Sequence, residues 1–293
     1  MNEPRKIILD TDLGPDCDDC GALAILDKYH KEGKAELLGV THCTSDLNSV
    51  NVIAAINEWF GVDVPIGQTD RKGFFDGVEY QKYTKPVSDE YLKTHEPAKY
   101  ESAVPLMRRL LAEHRDVTLV FIGPLNNMKE LLVSEADEYS PLCGIDLVKQ
   151  SVSTVVSMGG YFEPPFTREF NIECDIPSAQ YTTEHCPVPI VYCGFEAGRD
   201  VITGASLESC NDTYPVKQSY RLYIENSFLR PSWDLVTVYY ALEPRLDRWI
   251  VSEECKIRFN DDATSAVSEG TGARFVKYAD ERELEQIING IIG

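Results

Sequence analysis

Apolar runs rich in β-branched residues recur along the chain at 6–10, 36–41, 117–123, 153–158 and 188–193, separated by stretches with helical spacing. Between the first two, CGALAILDKYHKEG sets Ala22, Leu23, Leu26 and Tyr29 near one helical face, with Gly33 placed to cap its end. SVNVIAAINEWFG, SAVPLMRRLLAEH and LNNMKELL are further helix candidates. The segment DERELEQIINGII opens with Asp280 and Glu283 at capping-box spacing and carries Leu284, Ile287, Ile288 and Ile291 on one face, so it is expected to dock on the core. Strands alternating with helices predict an α/β fold built on a doubly wound, mainly parallel sheet. No Pro/Gly/Ser-rich linker breaks the pattern, and a single domain over 1–293 is expected. Residues 74–100 are polar, aromatic and weakly periodic, which predicts a long surface excursion and a candidate flap beside a site.

Composition adds exclusions. Hydrophobic residues at 43% supply a sizeable core and remove the disordered class. A net charge of −20 argues against nucleic acid, because phosphate binding needs basic stripes. MNEPRKIILD falls short of a signal peptide's apolar stretch, and no run is long and apolar enough to span a bilayer, so no membrane partner is expected. Nine scattered cysteines suit reduced thiols better than a disulfide framework, which makes a cytoplasmic location the expectation.

The chemistry concentrates in IILDTDLGPDCDDCGALAIL, where Asp10, Asp12, Asp16, Asp18 and Asp19 lie between a buried-type strand and a helix. In a parallel sheet that turn sits at the carboxyl end of a strand, where ligands bind. Carboxylates so close raise one another's pKa unless a cation neutralises them, and an all-oxygen set points to Ca²⁺ or Mg²⁺. The competing reading is a solvated acidic turn that caps the next helix. An EF-hand fails, since the twelfth loop position counted from Asp10 is Gly21 where a Glu is needed. The Cys17-Asp18-Asp19-Cys20 pair has anionic neighbours that disfavour a thiolate and no second CxxC to complete a zinc site. Serine-hydrolase, P-loop and dinucleotide fingerprints are missing; GTGARF precedes no helix and reads as a turn. The five histidines show no triad or metal spacing, and His42, just past the second strand, reads as structural.

A strand ending in LDTD also resembles the haloacid-dehalogenase phosphatases, but Leu13-Gly14 replaces their next residues and no further Asp-x-Asp-Asp is expected there. The fuller resemblance is to the inosine-uridine type nucleoside hydrolases. DTDLGPDCDDCGALAIL resembles their N-terminal aspartate motif, in the variant with two extra residues before the Asp-Asp pair. INEWFGVDVPIG, VTLVFIGPLNN, VVSMGGYF, REFNIECDIPSAQ, PIVYCGFEAG and PSWDLVTVYYALEP follow in family order.

The resemblance implies Ca²⁺-dependent hydrolysis of the N-glycosidic bond of a small-molecule ribonucleoside, releasing ribose and a free base, by a homo-oligomer such as a dimer or tetramer. By motif, Asp12, Asp19, Asp234 and the backbone carbonyl of Ile122 would hold Ca²⁺, Asp12 would also activate the attacking water, and Asp10 would support it. Asp18, Glu169 and Asn171 would bind ribose, where carboxylates stabilise a cationic ring formed only in the transition state. Glu169 and Asn171 read equally as a helix cap and a turn residue, and Asp234 as a helix N-terminal carboxylate.

Three positions depart from the family pattern. Trp233 stands where one branch has the histidine that protonates the leaving base; indole cannot act as a general acid, and it reads either as a stacking partner of the base or as a core aromatic. Asp46 stands at an asparagine position, and Glu163 is nearest to another asparagine left without a clear match. Arg71, Lys72 and Arg168 are the candidates for a phosphorylated sugar. The alternatives to nucleoside hydrolysis are a Mg²⁺ phosphatase, for which Asp261-Asp262 is the sole late Asp-Asp pair, and a non-catalytic nucleoside- or ribose-binding homologue.

Overall fold

The structure, a computed structural model, describes residues 4–225 and 227–293. The chain runs β1 (Arg5–Thr11), α1 (Asp18–Lys31), β2 (Ala35–His42), α2 (Leu47–Phe60), β3 (Ile66–Gln68), α3 (Thr84–Tyr91), β4 (Glu101–Ser102) and α4 (Ala103–Glu113). It continues through β5 (Val117–Phe121), α5 (Asn126–Val133), α6 (Gly144–Ser151), β6 (Val152–Met158), α7 (Phe170–Cys174), α8 (Ile176–His185), β7 (Ile190–Cys193) and α9 (Phe195–Gly198). The last part comprises β8 (Ile202–Thr203), α10 (Pro215–Ile224), β9 (Arg230–Pro231), α11 (Trp233–Leu242), β10 (Trp249–Val251), β11 (Cys255–Phe259), β12 (Ser265–Glu269), β13 (Ala273–Tyr278) and α12 (Glu281–Ile292).

One sheet in the order β12-β11-β13-β7-β6-β5-β1-β2-β3-β4 passes through the molecule, with β10 added on β13 and β8-β9 forming a separate ribbon. From β7 to β4, and at β13 on β7, every pairing is parallel, whereas β10, β11 and β12 pair antiparallel. The predicted doubly wound, mainly parallel sheet is therefore the observed one. Helices cover both faces because β1 alternates: Ile7 and Leu9 join the core under α1, α2, α10, α11 and α12, and Ile8 joins the core under α4, α5, α6 and α8. Fully buried side chains of this size each contribute roughly 1.5–3 kcal/mol.

All five expected strands are present within two residues of their predicted limits. Gly33, at φ +68°, follows α1 in the left-handed conformation that capping requires. Asp280 caps α12 by accepting from the backbone N–H groups of Arg282 and Glu283, and Leu284, Ile288 and Ile292 are buried. Segment 74–100 is largely exposed, as a surface excursion should be, but it folds α3, whose Thr84, Val87 and Ser88 are buried, and anchors Tyr83 with a hydrogen bond of 2.6 Å to the Asp16 carbonyl. The C-terminal strands are an addition. GTG makes the expected turn, but Ala273 and Arg274 already belong to β13. Among the described residues no helix is long and apolar enough to cross a membrane.

Candidate active site

The chain leaves β1 for β2 and β3 on one side and returns to β5 on the other, so the β1/β5 boundary is the switch point of the sheet, where the loops after adjacent strands part and leave a crevice. Asp12 follows β1 and Ile122 follows β5, tied together by the Ile122 N–H bond of 2.9 Å to the Asp10 carbonyl. A cavity of about 270 Å³ opens there, near the lower end of the small-molecule range of roughly 300–1,000 Å³.

Its floor is acidic. Asp12, Asp18, Asp19 and Asp234 line it and are all buried. Asp18 and Asp19 open α1, Asp234 stands in the first turn of α11, and the Asp234 N–H donates to Asp18 at 3.1 Å. These helix N-termini approach closely because Gly21 has no Cβ: one would lie 2.8 Å from Leu235 Cδ2 and 2.9 Å from the Tyr220 hydroxyl. Gly123 does the same for Asp12, since a Cβ there would come within 2.7 Å of its Oδ1. Burial and then the neighbouring aspartates push all four carboxyls well above their ordinary range.

One carboxylate oxygen from each of Asp18, Asp19 and Asp234 lies within 4.8 Å of the others. Four mutually repelling buried carboxylates with oxygen donors only fit a hard divalent cation, which removes the repulsion without requiring protons. Thr11 donates to Asp19 and orients it. Asp10 sits behind the floor, accepting from Thr41 at 2.6 Å and Asn127 at 2.7 Å, with burial raising its pKa to about 7.

Glu169 and Asn171 both line the cavity. Glu169 is the N-cap of α7 and accepts from the backbone N–H groups of Asn171, Ile172 and Gly160 at 3.0, 3.1 and 3.2 Å, so the capping reading holds alongside its place in the site. The Asn171 amide donates to the Ile122 carbonyl at 3.1 Å. Trp233 also lines the cavity, stacked on Phe195 at 5.4 Å, its indole N–H given to the Phe195 carbonyl at 2.9 Å.

The remaining candidates lie elsewhere. Asp46 caps α2 and accepts from Thr84 at 2.7 Å; Glu163 pairs with Lys277, Arg71 with Asp175 and Arg168 with Glu173; none lines the cavity. His42 is buried between Gln68 and the Leu13 carbonyl, and burial lowers its pKa. Cys17 and Cys20 are unpaired, buried thiols whose pKa burial raises. Arg230 and Tyr223 complete the cavity wall with Phe170, and nothing in the sequence reading selected them. Arg230 grips Asp16 through both Nε, at 3.0 Å, and Nη2.

The model of the family described as "Inosine-uridine preferring nucleoside hydrolase" matches residues 7–285. No curated protein matches in sequence. Among solved structures, an inosine-uridine preferring nucleoside hydrolase from Bacillus anthracis superposes with a TM-score of 0.75 at 16% identity, covering 98% of this chain and 99% of that one. The effector protein XOO4466 gives 0.71 at 16% identity, with 99% and 93% covered. The type III effector protein XopQ, complexed with adenosine diphosphate ribose, gives 0.70 at 15%, with 99% and 92% covered. These three share the fold.

Proposed function

The chain belongs to the inosine-uridine preferring nucleoside hydrolase family and is an N-ribosyl hydrolase; from that premise we propose that it cleaves the N-glycosidic bond of ribonucleosides with Ca²⁺ as its cofactor. The observation that carries this reading is the convergence of four buried carboxylates from two helix N-termini and one strand end beneath an aromatic wall.

Asp12, Asp19, Asp234 and the Ile122 carbonyl, which line one cavity, would hold the cation, and Asp18 would share it, since one carboxylate oxygen from each of Asp18, Asp19 and Asp234 lies within 4.8 Å of the others. A bound Ca²⁺ supplies the positive charge that acidifies an attacking water and anchors vicinal hydroxyls. Asp12 takes the proton from the attacking water. Asp18 and Asn171 accept and donate to the ribose hydroxyls, and the buried Glu169 faces the ring as positive charge develops on it, an interaction strongest in the transition state. Trp233 and Phe195 offer a flat apolar surface to the base.

Release of free ribose from inosine, uridine, adenosine and cytidine, with and without chelator, tests this. Asp12→Ala should lower turnover by roughly 10²–10⁴-fold, the usual weight of a general base. Turnover that survives both chelation and Asp12→Ala would sink the reading, and ribonucleoside binding without turnover by the wild type would favour the binding homologue.

A further inference from the structure

Cleavage of a C1′–N bond leaves an electron pair on the base, so an anionic leaving group departs from a cavity floored by four carboxylates. Trp233 cannot meet that charge. Its one polar hydrogen is committed to the Phe195 carbonyl at 2.9 Å, and indole does not ionise usefully. Among the described residues lining the cavity, Arg230 is the only cationic side chain. Its guanidinium carbon lies 5.4 Å from the ring centres of both Trp233 and Tyr223, which puts it in the aromatic wall of the cavity. Asp16 occupies the Nε and Nη2 edge, and no described residue accepts from Nη1. The guanidinium is thus fixed by one edge while two N–H donors on the other remain for a ligand.

Resting on the hydrolase reading above, we infer that Arg230 binds the departing base through its Nη1 hydrogens and stabilises the negative charge that forms on it, with Asp16 as its positioning residue. The C1′–N bond breaks with its electron pair on the base nitrogen, the water oxygen bonds to C1′, and the water proton passes to Asp12. Arg230 stays protonated throughout, as a guanidinium must. The base anion takes a proton from solvent as it leaves, and Asp12 returns its own to solvent. Arg230 therefore acts by electrostatic stabilisation, an effect worth about 10²–10³-fold for one well-placed donor.

The test separates leaving groups. Whichever ribonucleoside the wild type cleaves is compared with p-nitrophenyl β-D-ribofuranoside, whose phenolate leaves readily without help. Arg230→Ala should lose about 100-fold in kcat on the nucleoside and less than about fivefold on the nitrophenyl riboside, with Arg230→Lys between them; retained nitrophenyl turnover also certifies the fold. Equal losses on both substrates would overturn the inference, as would a loss confined to nucleoside 5′-monophosphates, or the same split produced by Tyr223→Phe with Arg230→Ala lacking it. A wild type that cleaves neither substrate refutes the hydrolase reading itself, a result distinct from all of these.

Discussion

Arg108 and the acidic cavity floor both lie in the interior, and they are treated in opposite ways. Arg108, 2% exposed on α4, donates to both oxygens of Asp137 at 2.6 and 3.0 Å, to the Ser134 hydroxyl at 2.8 Å, and to the Ser140 and Leu142 carbonyls at 3.2 and 2.9 Å. Each of the three guanidinium nitrogens has an acceptor, and Arg108 in turn holds the Asp137 carboxyl below its ordinary value. Asp12, Asp18, Asp19 and Asp234 meet chiefly one another, and their carboxyls shift upward. A saturated buried charge specifies where a loop goes. An unsaturated group of like charges destabilises the chain that carries it, and such an arrangement persists where a ligand supplies the missing charge.

The largest effect should come from breaking the saturated region. Asp137→Ala leaves Arg108 buried without its counter-charge and should cost about 3 kcal/mol in denaturant unfolding, with kcat unchanged because neither residue lines the cavity. The sign with pH follows from the direction of the shift. Asp137 is depressed when folded, so its contribution is full above the ordinary value of 3.8 and is lost as pH falls through the folded one. Wild type and variant should converge in strong acid. A variant as stable as wild type at neutral pH would show that the remaining acceptors alone satisfy Arg108.

The acidic floor predicts the reverse sign. Asp19→Asn should stabilise the chelator-treated protein by about 1–2 kcal/mol, since it removes one of four repelling charges. In excess Ca²⁺ the order should invert: wild type gains roughly 2.7 kcal/mol at a hundredfold excess over its dissociation constant, and the variant gains little. Melting temperatures with and without Ca²⁺ measure both. A Ca²⁺-induced shift equal in the two proteins would place the cation away from Asp19.

The same contrast explains what the sequence discloses. The aspartate turn is legible because its acids fall within ten residues at the end of an apolar strand, so the spacing itself carries the chemistry. Asp234 is less so: a carboxylate opening a helix is ordinary, and only the order of distant segments singles it out. Arg230 and Tyr223 are invisible because their meaning is not local. Arg230 reaches the cavity through the two-residue β9, paired with β8, and no periodicity marks it. Strand β11 was readable in principle, since Cys255, Ile257 and Phe259 are buried and alternate with exposed Lys256 and Arg258, but this period of two differs from the apolar runs of the parallel strands. Tyr83 and α3 sit in a polar stretch whose order comes from contacts with Asp16 and α2.

Asp27 offers the smallest test and the sharpest, because it shares the burial of the cavity acids and none of their company. It lies on α1, 0% exposed, with no partner for either carboxylate oxygen among the described residues, and burial alone pushes its pKa well above 3.8. A raised folded value means that its contribution is full below 3.8 and is lost as pH rises through the folded value. Asp27→Asn should therefore be about 1 kcal/mol more stable than wild type at neutral pH, and the gap should close toward acid. Catalysis and the Ca²⁺ response should be untouched, because Asp27 does not line the cavity. If Asp27→Asn weakened the Ca²⁺ response as Asp19→Asn does, burial of acid alone would account for both regions, and the distinction between a ligand-dependent cluster and an isolated buried carboxyl would fall.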